Sequence, residues 1–171
     1  AKLDIYHCGL SWSEIVHNPN AFIMHAGGAI GGKMYTNSRE SLLHSIENGA
    51  KMIELDLVMT SDGYIVAAHD WKHFRQIAGL DVSNVPMTLE EFGNQKIYDK
   101  YTPLTYKDIE DLFAKNADLV LVTDKINNYK AIIDSFSFVE RIYVEVFNLQ
   151  DYYKALDVGI KYPMFSLFEY K

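Results

Sequence analysis

The sequence contains few of the features that would place it in several common protein classes. Cys8 is the only cysteine among 171 residues, so the chain forms no internal disulfide, and we expect a surface or packing thiol there. No apolar run approaches the roughly 18 residues that a transmembrane helix requires, and no charged segment followed by an apolar one marks a signal peptide. The sequence therefore predicts no transmembrane segment, and it leaves the compartment open while favouring a cytoplasmic location.

Basic residues are also scarce. The sequence has 16 Lys and Arg against 23 Asp and Glu, which gives a net charge of -7. A broad surface for nucleic acid or an anionic membrane needs an excess of positive charge, so we expect neither partner. Any phosphate that this chain handles would need a local neutralising group, such as a metal ion.

What the sequence does contain is typical of one globular α/β domain. Its 49% hydrophobic content and its length suit a single domain over residues 1–171. Apolar runs near residues 22, 53, 65, 120, 142 and 163 predict strands, and amphipathic stretches between most of them predict helices and a parallel sheet. The pattern loosens over about 71–104, which we interpret as an excursion with a short helix near residues 89–92 that contacts substrate or acts as a lid.

The stretch from Met52 to Asp70 carries the first chemical signal. Two apolar runs flank residues 60–63, a polar segment with a glycine that predicts a hairpin-like turn between two strands. Glu54 and Asp56 are two residues apart in the first run and so project to the same face. Two carboxylates repel each other and are costly to bury, which a divalent cation would offset; a solvated outer face is the alternative.

Other ionisable side chains also stand where predicted strands end. His25 follows the first strand, His69 ends the second run of the hairpin, and Asp124 ends the buried run 119–124. The carboxyl ends of parallel strands gather at one rim of an α/β fold, where active sites form. We therefore expect these three residues to converge with Glu54 and Asp56 in one functional site.

These residues resemble the glycerophosphodiester phosphodiesterases of the phosphatidylinositol phospholipase C-like superfamily. The resemblance covers roughly residues 22–70, and beyond them it extends only to the alternation of strands and helices. The matching elements are His25-Ala-Gly-Gly28, Asn37-Ser38-Arg-Glu40, Gly49-Ala50, Glu54-Leu-Asp56, Thr60-Ser-Asp62-Gly63 and His69-Asp70. The resemblance implies a TIM barrel, a place in lipid metabolism, and metal-dependent hydrolysis of a phosphodiester such as a glycerophosphodiester, with Ca²⁺ or Mg²⁺.

The resemblance also implies roles for the five residues. His25 and His69 would be the acid/base pair, and Glu54, Asp56 and Asp124 would bind the metal. This division is chemically sound, because a cation lowers the charge on the phosphate oxygens while one imidazole takes a proton and another gives one. The nucleophile is either water or a neighbouring hydroxyl of the substrate, and the sequence leaves both open.

Further residues match the family less closely. Many members have Arg after the first histidine, where it grips a phosphate oxygen, and here Ala26 stands instead. Lys125 is a candidate substrate ligand by resemblance, although strict strand alternation places it on the opposite face from Asp124. Trp71 is a candidate wall of the substrate pocket, with ordinary packing as the alternative. Helix capping and the helix dipole explain Asn37 and Glu40 without any chemical role.

The number of strands departs most from the family. Counted as barrel strands, the predicted elements supply about five of the eight that a TIM barrel needs. An open arc would expose strand edges and apolar surface, so we expect a second chain or a further segment of a longer protein to complete the barrel. The alternative function is a noncatalytic, truncated barrel that binds a phosphorylated ligand or a partner chain.

Overall fold

A parallel β-sheet flanked by helices forms the centre of the molecule in the computed structural model, which describes residues 22–166. Five strands pair in the order β1-β2-β5-β6-β7, all parallel, and β3 and β4 form a separate antiparallel pair. The α/β architecture with a parallel sheet is therefore confirmed. Cys8 lies outside the described residues. The strands are β1 (Ile23–Met24), β2 (Met52–Glu54), β3 (Leu57–Met59), β4 (Ile65–Ala67), β5 (Val120–Thr123), β6 (Ile142–Val146) and β7 (Tyr162–Phe165).

Polar side chains begin the helices at the positions where caps are needed. Ser38 accepts a hydrogen bond from the backbone N–H of Ser41, and Thr105 forms a reciprocal capping box with Asp108. Such caps satisfy N–H groups that the first helical turn leaves free. The helices are α1 (Arg39–Glu47), α2 (Trp71–Ile77), α3 (Leu89–Gly93), α4 (Tyr106–Lys115), α5 (Tyr129–Ser135) and α6 (Leu149–Asp157). None of the described helices is long and apolar enough to cross a membrane.

The two faces of the parallel sheet differ in chemistry. Ile53, Leu121 and Ile142 share one row of the register, are fully buried, and pack against the helices. The adjacent row faces the other way and includes Glu54 and Tyr143. Alternation of side chains along each strand thus separates an apolar, helix-covered face from the face that carries the predicted site.

The single strand predicted over residues 52–59 is two strands in the structure. β2 belongs to the parallel sheet, whereas β3 turns away and pairs with β4 through the predicted turn. The change occurs at Leu55 and Asp56: Leu55 N–H still bonds the Val122 carbonyl, but the Asp56 carbonyl accepts from Ala68. A continuous apolar run does not reveal a change of partner, because both strands bury the same residue types.

The excursion over 71–104 is more ordered than the sequence pattern indicates. It contains α2, which we did not predict, as well as the predicted short helix, observed as α3. A second hydrophobic core built on Val66, Trp71, Phe74 and Phe92 supports both helices. Apolar residues at 71, 74 and 77 form the buried side of α2, a signal too short to distinguish from a loop in sequence.

Candidate active site

Three carboxylates meet at the carboxyl ends of two neighbouring strands. Glu54 ends β2, Asp56 follows where the chain leaves the sheet, and Asp124 comes directly after β5. One ligand oxygen from each lies within 4.8 Å of the others. Because β2 and β5 are paired in parallel, their ends are adjacent, and this brings residues some 70 positions apart in sequence together.

Each carboxylate has one oxygen that a protein donor contacts and one oxygen that accepts no hydrogen bond from the described residues. The donors come from the turn after β1, from the segment before α1 and from the loop after β5. The engaged pairs are Ala26 N with Glu54 Oε2 at 2.7 Å, Asn37 Nδ2 with Asp56 Oδ2 at 2.9 Å, and Lys125 Nζ with Asp124 Oδ2 at 3.1 Å. The remaining oxygens, Glu54 Oε1, Asp56 Oδ1 and Asp124 Oδ1, are buried and make no hydrogen bond with the described residues.

This arrangement places unbalanced negative charge in a buried position. Burial and the neighbouring Asp56 carboxylate raise the pKa of Glu54 to about 8. Burial also raises the pKa of Asp124, although the adjacent Lys125 ammonium works in the opposite direction. Leaving buried anionic oxygens unpaired is costly, and a hard divalent cation takes carboxylate oxygens as ligands. The three residues therefore fit a divalent metal ion.

A carboxylate also holds the histidine that follows β4. His69 Nδ1 lies 2.8 Å from Asp70 Oδ2, and Asp70 Oδ1 caps α2 by accepting from the His73 backbone N–H at 2.7 Å. Although burial opposes ionisation, these hydrogen bonds lower the pKa of Asp70. Because a carboxylate can only accept, Nδ1 of His69 carries the proton and Nε2 remains available for proton transfer.

The turn after β1 presents His25 to the same carboxylates. Its Nε2 lies 3.5 Å from Glu54 Oε2, and its side chain is 60% exposed. Ala26 and the two glycines after it have positive φ angles, and this conformation aims the Ala26 N–H at Glu54. A Cβ on Gly28 would lie 2.2 Å from Ser45 Oγ, so only glycine fits there.

A cavity of about 410 Å³ joins the two histidines. It is lined by His25, Tyr35, His69, His73 and Lys125. The expectation that strand alternation separates Lys125 from Asp124 is wrong, because β5 ends at Thr123 and the loop that follows obeys no such alternation. Lys125 Nζ also lies 4.0 Å from Asp56 Oδ1, so the ammonium connects the cavity wall to the carboxylates.

Three contacts of the site lay outside our sequence prediction. Asn37 does not cap α1, which Ser38 does; instead its amide accepts from Asp56 N–H at 3.1 Å and donates to the Asp56 carboxylate. Tyr35 and His73 line the cavity and were missed. His69 precedes Asp70, the cap of α2, so the spacing of four residues from His69 to His73 is not a helical spacing and gives no sequence signal. Nothing in the sequence singles out Tyr35.

Trp71 lies in the second core. It is 6% exposed and packs edge to face against Phe74 and Phe92, with ring centroids 6.2 and 6.0 Å away. It is not one of the residues that line the cavity. Its direct contact with substrate stays a prediction, and its observed packing supports α2, which carries His73.

Comparison with solved structures extends the description of the fold. A phosphodiesterase from Oleispira antarctica, solved with the product sn-glycerol-3-phosphate, aligns with a TM-score of 0.66 at 16% identity, over 84% of this chain and 64% of that one. A glycerophosphodiester phosphodiesterase from Thermotoga maritima gives 0.62 at 22%, over 82% and 58%. A glycerophosphoryl diester phosphodiesterase from Parabacteroides distasonis gives 0.64 at 18%, over 84% and 52%.

These likenesses confirm the TIM-barrel-type fold. The chain spans less than two thirds of the length of each of the three structures, and within residues 22–166 it supplies five parallel strands that do not close into a barrel. No curated protein matches the chain. The model of the glycerophosphoryl diester phosphodiesterase family matches residues 28–162, which is most of the sequence, and the chain therefore belongs to that family.

Proposed function

We propose that this chain carries the catalytic side of a metal-dependent phosphodiesterase, which hydrolyses a glycerophosphodiester to an alcohol and glycerol phosphate. The observation that carries the proposal is the set of three buried carboxylate oxygens that accept no hydrogen bond within residues 22–166, beside a cavity whose lining includes His25 and His69. Family membership supports the reaction type. The product bound to the Oleispira antarctica relative supports glycerol phosphate as one of the products.

Glu54, Asp56 and Asp124 would hold the divalent cation. Their ligand atoms are all carboxylate oxygens, which favours the hard ions Ca²⁺ and Mg²⁺ over ions that prefer nitrogen or sulfur. A bound cation would neutralise charge on the nonbridging phosphate oxygens. Asn37 and Ala26 would keep two of the carboxylates in position, since each donates to one oxygen and leaves the other without a hydrogen bond.

His25 and His69 would transfer the protons. The nucleophile, water or a substrate hydroxyl, loses a proton to one imidazole, and the leaving alkoxide receives one from the other. Asp70 fixes the ring of His69 and its tautomer by accepting a hydrogen bond from Nδ1. Lys125 would bind a phosphate oxygen, a task that falls to Arg after the first histidine in many members of the family, where this chain has the buried Ala26.

A further βα segment would complete the barrel. Tyr143 and Tyr162 stack on the inner face of the sheet with ring centroids 4.7 Å apart, and both are only partly buried. In a closed barrel such side chains fill the interior. A second chain and a longer version of this chain would both meet this need, and the solution mass of the active species separates them.

Hydrolysis followed by phosphorus NMR tests the proposed function. With Mg²⁺ or Ca²⁺ present, we expect the chain to cleave a glycerophosphodiester, and chelation of the metal should abolish cleavage. His25→Gln and His69→Gln should each lose about a hundredfold or more of the activity. The matched control is His44→Gln, which changes an exposed histidine on α1.

Two outcomes would contradict the proposal. Undiminished cleavage by both histidine variants would place the chemistry elsewhere. Tight binding of a phosphorylated ligand without turnover at any metal concentration would identify a noncatalytic module, a function that Ala26 favours because it lacks the guanidinium of the common Arg.

A further inference from the structure

Each histidine of the proposed acid/base pair contacts one further ring that the proposed chemistry does not use. The ring of Tyr35 meets that of His25 edge to face, with centroids 5.1 Å apart. The ring of His73 meets that of His69 in the same manner at 5.7 Å. All four rings line the cavity of about 410 Å³. Tyr35 and His73 are therefore the part of the cavity wall to which the reaction itself assigns no role.

The carboxylate that holds the ring of His69 also holds the backbone of His73. Asp70 accepts from the His73 backbone N–H and from the ring of His69, so both residues are positioned at the start of α2. Neither ring nitrogen of His73 has a hydrogen-bond partner within residues 22–166. Burial and the adjacent His69 lower the pKa of His73, which favours a neutral ring with one donor and one acceptor nitrogen.

Tyr35 occupies an unusual backbone conformation on the other side of the pair. Its φ of +58° is left-handed, which costs a residue with a side chain roughly 1–2 kcal/mol. Tyr35 is nevertheless 44% exposed, and its hydroxyl has no hydrogen-bond partner in the described part of the chain. Strain of this kind tends to be retained at ligand sites, where the position of a side chain matters more than local stability.

We propose that Tyr35 and His73 bind the leaving alcohol of the diester, and that this alcohol carries a hydroxyl group that hydrogen-bonds to the His73 imidazole. The inference rests on the proposed function and specifies its substrate class. An imidazole with open donor and acceptor positions matches a hydroxyl, which can both give and accept a hydrogen bond, whereas the phosphate is better served by Lys125 and the cation. The ring of Tyr35 supplies an apolar surface for the carbon chain of the alcohol.

Two substrates that differ in one hydroxyl-bearing group test this proposal. Glycerophosphoglycerol and glycerophosphoethanol share the glycerol phosphate part and differ in the leaving alcohol. We expect His73→Phe to lower the ratio of their kcat/KM values about tenfold or more, mainly through a higher KM for the glycerol diester. His73→Gln, which keeps a donor and an acceptor, should retain a larger part of the ratio. His44→Gln serves as the control and should leave the ratio unchanged.

Either of two kinetic results would overturn the proposal. An equal loss on both diesters would mean that His73 supports the fold or the chemistry, or binds the glycerol phosphate part that both share. Unchanged activity on both diesters would mean that the alcohol binds elsewhere. A binding measurement separates this inference from the proposed function if neither diester is cleaved. Glycerol should shift the NMR resonances of the His73 imidazole, and the absence of a shift would disprove the contact whatever the turnover.

Discussion

Residues 22–166 form two hydrophobic cores, and each supports a different part of the candidate site. The larger core lies between the parallel sheet and helices such as α4 and α5, and it fixes the strand ends that carry the carboxylates. The smaller core lies under α2 and α3 in the excursion over 71–104, and it fixes α2, which carries His73 and is capped by Asp70. The metal ligands and one proton-transfer group are thus anchored in separately packed regions.

This division gives the two halves different mechanical support. The carboxylates stand on β2 and β5, whose backbones pair directly in the sheet. The two cores share β4, because Ile65 and Ala67 pack in the larger core whereas Val66 and, directly after the strand, Ala68 pack in the smaller one. Hydrogen bonds from Thr102 to the Glu40 carboxylate and from Ala68 N–H to the Asp56 carbonyl also connect them. We therefore expect changes in the excursion to weaken turnover while metal binding persists.

Removing a metal-binding carboxylate should have the largest effect, and it should reduce both turnover and metal binding. Glu54→Gln deletes one ligand charge, and we expect turnover to fall about a thousandfold or more, or roughly 4 kcal/mol of transition-state stabilisation. The rise in melting temperature that Mg²⁺ or Ca²⁺ produces in the parent chain should disappear as well. Thermal melts with and without metal, beside phosphorus NMR, measure the two properties on one sample.

His69→Gln is the contrasting variant for that experiment. It should lose turnover but keep the metal-dependent rise in melting temperature, because its ring touches none of the three carboxylates that form the metal group. Loss of the rise in both variants would show that the two halves of the site do not behave independently.

A matched pair of phenylalanines tests the independence of the two cores. Phe92 in the smaller core packs on Phe74 at 4.4 Å, and Phe113 in the larger core stacks on Phe138 at 4.8 Å; both are fully buried. Replacing either by Ala should cost about 3–5 kcal/mol locally. We expect Phe92→Ala to reduce turnover while metal still raises the melting temperature, whereas Phe113→Ala should impair both.

Each variant is titrated with denaturant, and turnover is measured at each denaturant concentration. Parallel titrations with and without metal show how much the metal stabilises the variant. Identical behaviour of the two variants would mean that the cores unfold as one cooperative unit. The two parts of the site would then not be supported separately.

The larger core and its carboxylates were more predictable from sequence than the smaller core and its rings. Alternation along a strand and the convergence of parallel strand ends are long-range rules, so they placed Glu54, Asp56 and Asp124 at one rim correctly. No such rule extends past the end of a strand, which is why alternation argued wrongly against placing Lys125 beside Asp124, although the family resemblance named Lys125 as a substrate ligand. Tyr35 and His73 depend on a strained loop and a seven-residue helix, whose signals are too short to separate from ordinary loop sequence.

The raised pKa of Glu54 should also make the stability of the metal-free chain depend on pH. In the metal-free chain the folded pKa of Glu54 is about 8, above its ordinary value of 4.5. Between these two pH values the folded state therefore keeps a proton on Glu54 that the unfolded state has released. The contribution of this proton to the free energy of unfolding is complete below about pH 4.5 and is lost as the pH rises through about 8. Glu54→Gln should flatten this part of the stability profile.

Thermal melts from pH 4 to 9 in a chelating buffer measure the effect. Glu47→Gln, which removes the charge of an exposed carboxylate at the end of α1, is the control for net charge. A profile of equal slope in the parent chain and Glu54→Gln would mean that other groups set the pH dependence.

Removal of a single helix cap is the smallest change that distinguishes the two cores. Thr88 begins α3 with a capping box: its Oγ1 accepts from Glu91 N–H at 3.2 Å, and the Glu91 carboxylate accepts from Thr88 N–H at 2.8 Å. Thr88→Ala should cost about 1 kcal/mol, a loss too small to unfold the chain, and Thr88→Ser should restore most of it.

Because α3 contributes Phe92 to the smaller core, fraying of its first turn should raise amide hydrogen exchange in α2 and α3 and leave the exchange of β5 and β6 unchanged. Thr105→Ala removes the equivalent cap from α4, whose Ile109 and Phe113 belong to the larger core, and it should produce the opposite pattern. If amide exchange rises throughout the described residues in both variants, the two cores unfold as one cooperative unit. Local unfolding around His69 would then always include the three metal-binding carboxylates.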